Sequence, residues 1–210
     1  MNKKAFTLAE VLVTLMVIGV IAAMTIPGLR KSAEQRENVA GLKKAYATLS
    51  NAIALAEQEN GPRRRWGSTD ADTVTAFNNI KAYMNVTKEC INSTGCLGDG
   101  KVYQLNGDLY SSITNKGYGS PTTAFITADG MSWIYDLNPN NYDLFFVDVN
   151  GSEKKPNTLG YDVFMFYWYY ASEKGLYPEG TYAKNWGNCN STGSGLDCAA
   201  RVLREGAINY

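Results

Sequence analysis

Phe6-Thr7-Leu8-Ala9-Glu10-Val11-Leu12-Val13-Thr14-Leu15-Met16-Val17-Ile18-Gly19-Val20-Ile21-Ala22-Ala23-Met24-Thr25-Ile26-Pro27 follows directly on a basic leader, Met1-Asn2-Lys3-Lys4-Ala5. The uncharged run continues to Leu29 and is broken by a single carboxylate, Glu10. Its length matches the ~20 residues that a helix needs to cross a bilayer, and Lys3 and Lys4 hold the short end in the cytoplasm. A charge in a bilayer core costs about 2.5–3.5 kcal/mol on insertion scales, so Glu10 calls for a role. A secretory signal cleaved at Ala22-Ala23-Met24 accounts for the apolar run, and so does a plain membrane anchor. Neither accounts for Glu10.

The stretch Lys3-Lys4-Ala5-Phe6-Thr7-Leu8-Ala9-Glu10-Val11-Leu12-Val13 resembles the prepilin signal shared by type IV pilins and type II secretion pseudopilins. The resemblance implies that a membrane prepilin peptidase cuts between Ala5 and Phe6 on the cytoplasmic side and methylates the new amine of Phe6. It also implies that Glu10, one turn inside the mature end, pairs with the amine of a neighbouring subunit in a filament. Neither charge is then left alone in an apolar bundle. The family usually has Gly where this chain has Ala5, which implies slower cleavage rather than none. Gly19 and Pro27 fit the same family, because both weaken a helix and permit bending on assembly.

The implied division is a leader over 1–5, a transmembrane and assembly half of the helix over 6–29, an amphipathic half over 30–60, and a β-rich globular domain over 61–210. The implied partners are other pilin or pseudopilin subunits, the prepilin peptidase and an inner-membrane assembly platform. The implied location is the inner membrane, single-pass, with the C-terminal domain outside the cytoplasm, and then a filament in the periplasm or on the cell surface. The alternative is an anchored exported domain that does not polymerise.

Beyond the anchor, Val39, Leu42, Tyr46, Leu49, Ile53 and Ala56 recur at steps of three and four, the mark of one apolar stripe on a helix. Glu34, Arg36, Glu37, Lys43, Lys44, Glu57 and Glu59 fill the other face, and Asn60-Gly61-Pro62 stops the helix. Such a stripe needs a partner. Downstream, Asp129-Gly130 stands between two apolar runs at 124–127 and 131–137, a strong hairpin signal. A turn over 138–141 leads to a further strand at 142–149, ended by Asn150-Gly151. Residues 199–205 read as a short helix. The expected fold class is α+β: a long N-terminal helix packed on a small antiparallel sheet of three or four strands.

Four cysteines form two local pairs, Cys90 with Cys96 and Cys189 with Cys198. Their spacing does not suit zinc, and the chain has no histidine. An oxidising compartment beyond the membrane makes disulfides the natural outcome. Three connectivities exist, of which the two local bridges are favoured, and the second resembles the C-terminal disulfide loop of type IV pilins. Asp148, Asn150 and Asp162, around a Gly-permitted turn, form a candidate calcium set within a stretch that resembles a loop of pilin-like subunits. The bidentate Glu of an EF-hand is missing, and side-chain turns explain the same residues. No other cofactor is expected.

Arg63-Arg64-Arg65-Trp66 is the one concentrated basic run, read as solvated or as pairing with a neighbouring subunit. Acidic and basic side chains balance at 20 each, so DNA is not an expected partner. Without histidine there is no Ser-His-Asp or Cys-His pair, and no strand–helix glycine loop is set to hold a phosphate. The expectation is a structural, non-enzymatic protein.

Overall fold

Helix α1 runs from Leu8 to Asn60. It belongs to a computed structural model that describes residues 7–91, 93, 95–110, 123–138, 142–170, 175–183 and 186–210. The chain divides into two packed units, Met1–Arg36 and Glu37–Tyr210. In the first unit the helix exposes apolar side chains all round, among them Leu12, Val13, Leu15, Met16, Ile18, Met24 and Leu29. It is long and apolar enough to cross a membrane. A helix that is apolar on every side belongs in lipid or among other helices.

In the second unit six strands form one antiparallel sheet in the order of the chain. They are β1 (Val86–Ile91), β2 (Thr123–Thr127), β3 (Ser132–Asn138), β4 (Tyr142–Asp148), β5 (Val163–Tyr169) and β6 (Gly175–Pro178). β2 and β3 form the expected hairpin, with Gly130 at φ +84° in its turn. The expected turn over 138–141 lies largely outside the described residues. Two short helices complete the unit, α2 (Thr73–Lys81) and α3 (Cys198–Glu205).

The sheet is larger than the three or four strands expected. β1 is mostly exposed and carries a bulge between Val86 and Lys88, so it lacks the clear alternation that marks a half-buried strand. β6 is a four-residue edge strand ending in Pro178, a residue that sheets tolerate only at such places. Short edges of this kind give weak sequence signals. The central strands, by contrast, are buried on both faces, which is why they read as near-continuous apolar runs.

One face of the sheet presents Phe125, Trp133, Tyr135, Phe145, Phe166 and Trp168 to the stripe of α1, where Val39, Leu42, Ala45, Leu49, Ile53 and Ala56 are buried. Phe77 and Ile80 of α2 close this core. Tyr46 meets Phe166 at 5.7 Å between ring centroids. Gly41 lets the helix come close, since a Cβ there would stand 2.9 Å from Cβ of Val149. Polar ties fix the register: Asn38 Nδ2 donates to the Tyr161 carbonyl at 3.1 Å, and Lys44 pairs with Asp129 at 3.0 Å. The opposite face buries Ile134, Leu144, Phe146, Val163 and Met165 against Leu159 and the Cys90–Cys96 bridge.

The basic run departs from its reading as a solvated or intersubunit cluster. Arg63 is fully buried and donates Nε and Nη2 to the two oxygens of Asp143, at 2.6 and 3.0 Å. Its Nη1 donates to the Gly67 carbonyl at 2.7 Å, and Tyr135 Oη donates to Asp143 Oδ2 at 2.8 Å. The guanidinium also lies 4.5 Å from the ring centroid of Tyr170. Trp66 is buried too, its indole N–H donating to the Gly61 carbonyl at 3.0 Å. Only Arg64 and Arg65 face solvent, and Trp66 cannot stack on a base. A turn that follows an apolar helix end and meets the sheet must bury what it carries. Arginine can be buried there because a carboxylate takes its fork bidentately.

Removing one partner of a buried pair costs about 3–5 kcal/mol, whereas replacing both by apolar groups is often near neutral. Asp143→Ala should therefore destabilise the domain by about that amount in denaturant unfolding of detergent-solubilised protein, followed by tryptophan fluorescence. The double variant Arg63→Met with Asp143→Leu should recover most of the loss. Equal losses for the two variants would mean that packing alone, and not the unpaired charge, sets the cost.

Candidate functional site

Three clusters of sequence-predicted residues can be placed on this frame. The first is the start of α1. Ala5 and Phe6 lie outside the described residues, but Thr7 and Glu10 do not. Glu10 Oε2 accepts hydrogen bonds from Thr7 N at 2.8 Å and from Thr7 Oγ1 at 2.9 Å, while Glu10 N donates to Thr7 Oγ1 at 3.2 Å. This is a reciprocal capping box, which satisfies backbone donors that the first turn leaves orphaned. The negative charge also sits at the positive end of the helix dipole. Its sequence signal is Thr7-Leu8-Ala9-Glu10, a Thr-x-x-Glu pattern. Glu10 therefore has a local role in the single chain, beside any role between chains. Past this turn the helix continues without a break through Gly19 and Pro27.

The second cluster is the cysteines. Cys90 is bonded to Cys96 and Cys189 to Cys198, with Cα–Cα distances of 6.0 and 5.0 Å. The first bridge ties the end of β1 to the loop behind it. The second holds the 189–198 loop to the first turn of α3, where a Cβ on Gly160 would stand 2.7 Å from Cys198 Sγ. Arg201 Nη1 donates to the Cys189 carbonyl at 2.7 Å and adds a polar tie across the same loop.

The third cluster is the candidate calcium set. Asp148 at the end of β4 and Asp162 just before β5 are both buried, and Asn150 stands in the turn between the strands. Asn150 Nδ2 lies 3.4 Å from Asp162 Oδ2, and Asn150 N donates to Asp148 Oδ1 at 3.3 Å. Asp162 also accepts from the backbone N–H groups of Asn157, at 3.0 Å, and Thr158, at 2.5 Å. Asn157, not singled out from the sequence, joins the group. It is buried, takes φ +52°, and its Nδ2 donates to the Ser152 carbonyl at 2.8 Å.

The electrostatics of this group are unbalanced. Burial, and then the charge of Asp162, push the Asp148 carboxyl up to about 8. Burial pushes Asp162 up to about 6 against the pull of its backbone donors. The side-chain oxygens of Asn150 and Asn157 are buried without a hydrogen-bond donor. A cavity of ≈ 20 Å³ touches Asp148, Ser152 and Asn157, room for one water-sized occupant. The oxygens of Asp148, Asn150, Asn157 and Asp162 are of the type that binds a hard cation, and of these four residues Asp148 and Asn157 line the cavity, whose other walls are mainly apolar. The set holds only two acidic groups, and among the described residues no cluster of three or more His, Cys, Asp or Glu is poised around a metal.

No curated protein and no solved structure matches this chain. A prokaryotic N-terminal methylation motif matches residues 1–26, and this is the prepilin-type cleavage and methylation signal of type IV pilins and pseudopilins. With the apolar N-terminal helix it fits a membrane-anchored, pilin-like precursor, and it points to a structural protein rather than an enzyme. A second match spans residues 29–198, most of the chain, and by it the protein belongs to a family of unknown function (DUF6613).

Proposed function

We propose that this chain is a minor pilin or pseudopilin, a subunit of a type IV pilus, type II secretion or DNA-uptake filament. It is inserted in the inner membrane with its C-terminal domain outside the cytoplasm. A prepilin peptidase cuts it between Ala5 and Phe6 and methylates Phe6, and an assembly platform draws it into the filament through α1. The observation that carries this reading is a methylation motif set directly on a helix whose apolar side chains are exposed all round. Lipid covers such a surface in the single subunit, and neighbouring helices cover it in a filament. The Glu10 carboxylate is then the group that offsets the buried amine of the next subunit's Phe6.

Protein isolated from its native host should begin at Phe6 and carry one extra methyl group there, as read by intact-mass and N-terminal peptide spectrometry. Retention of residues 1–5 in cells with an active prepilin peptidase would contradict the reading.

Glu10→Gln separates the local role of this residue from its role between subunits. Glutamine also serves at this position of a capping box, so the start of α1 is preserved while the charge is lost. The variant should insert and be cleaved at wild-type levels. Its yield in sheared filament or cross-linked multimer should collapse, because an unpaired buried charge costs about 3–5 kcal/mol per subunit. Assembly at the wild-type level would leave Glu10 with only its capping role and favour an anchored domain that does not polymerise.

For the Asp148–Asp162 cradle we propose a structural calcium ion, held by Asp148, Asn150, Asn157 and Asp162. Its charge offsets the two crowded carboxylates and its coordination uses the two orphaned amide oxygens. Calcium at about 100 times its dissociation constant should add about 2.7 kcal/mol to unfolding stability. Magnesium, which gives up its waters reluctantly, should add far less. Asn150→Ala should remove most of the calcium effect in a melting experiment. No shift in the wild-type protein would leave the cradle as a hydrogen-bonded turn.

A further inference from the structure

The sheet face opposite α1 carries a second aromatic assembly, apart from the Asp148–Asp162 cradle. Tyr167 and Tyr169 share that face of β5 through the two-residue period of a strand. Tyr142 stands beside Tyr169 in register, and Tyr177 beside Tyr167. The rings stack, with centroids 5.0 Å apart for Tyr142–Tyr169, 5.8 Å for Tyr167–Tyr177 and 5.7 Å for Tyr169–Tyr177, and interplanar angles of 29°, 13° and 13°. Tyr182 meets Tyr177 edge-on at 4.9 Å. With Glu179 these rings line a cavity of ≈ 380 Å³. Small-molecule sites commonly have volumes of about 300–1,000 Å³.

We infer that this cavity binds a small organic cation, a molecule with a quaternary or substituted ammonium head, held by the tyrosine rings and the Glu179 carboxylate. The lining has one electrostatic sign. Aromatic faces carry the negative part of the ring quadrupole and attract cations placed over them. Glu179 is the one charged side chain lining the cavity among the described residues. Burial, and then the like charge of Asp197, push its carboxyl up to about 7, and among the described residues no basic group offsets them. A bound ammonium does so. A neutral sugar would stack on the same rings but leave the carboxylate uncompensated, and an anion is repelled.

This inference does not rest on the filament reading. Its test is calorimetric titration of the detergent-solubilised full chain with choline chloride at constant ionic strength and pH 8. The parallel titrants are 3,3-dimethylbutan-1-ol (the neutral isostere of choline), methyl glucoside and a lysine-containing peptide. Choline should bind, with an affinity about tenfold or more above that of the isostere. Glu179→Gln should weaken choline about tenfold while leaving the isostere unchanged. Tyr177→Phe should retain binding and Tyr177→Leu should lose it, so the question stays decidable even if the Glu179 variant misfolds. The proposal is overturned if choline does not bind, or binds no better than its isostere. It is equally overturned if only the glucoside or only the peptide binds.

Discussion

The buried pair of Arg63 and Asp143 joins the end of the long helix to the middle of the sheet. Helix α1 ends at Asn60, and three residues later the chain places a guanidinium inside the core, where water cannot solvate it. Asp143 is the second residue of β4, so the fork-to-carboxylate contact fixes where the helix end stands against that strand. Tyr135 on β3 donates to the same carboxylate, the Gly67 carbonyl accepts a third guanidinium N–H, and the ring of Tyr170 covers the cation. The apolar stripe of α1 supplies the driving force for docking, but apolar contacts slide at little cost. A buried charge pair does not slide, because displacing either member strands both in a low-dielectric interior.

The same physics appears at the other end of the helix with the opposite outcome. Glu10 is exposed, and its carboxylate is occupied by the donors of its own first turn. That arrangement satisfies the carboxylate within its own chain. Under the proposed filament reading, this same exposed group is the one that meets a neighbouring subunit. Two charge devices thus stand at the two ends of this helix: a closed one just past Asn60, inside the domain, and an exposed one in its first turn.

The two faces differ in their aromatic residues at the β4–β6 end, although Tyr135 is buried on the α1 face and Phe146 on the other. On the face toward α1, Phe125, Phe145, Phe166 and the tryptophans are buried. On the other face the rings at the β4–β6 end are tyrosines, half-buried around a cavity. A phenol combines an apolar body with a polar tip, so it suits a surface that must stay partly wet. At the β4–β5 turn of the same domain, oxygen side chains are crowded instead. These two places differ from the rest of the domain in having electrostatic demands that the described protein groups leave unmet.

Much of this was legible in the chain itself. The leader, the apolar run with one carboxylate, and the three-and-four stripe determine a long helix with a membrane half and a docking half. Each feature is local and its period is short. The Asp129-Gly130 hairpin and the stop at Asn60-Gly61-Pro62 were readable for the same reason, since turn chemistry depends on a few adjacent residues. The edge strands β1 and β6 were not, because a short or bulged edge is held by its neighbours rather than by its own pattern. Nor did the sequence distinguish Arg63 from Arg64 and Arg65. Three identical residues in a row differ only in which one meets Asp143, eighty positions away, and that is settled by how the helix end packs on the sheet. The gathering of Asn157 with Asp148 and Asp162, and of five tyrosines from three strands and a following turn, likewise depends on strand register. Register is a property of the paired strands and belongs to no single segment of the chain.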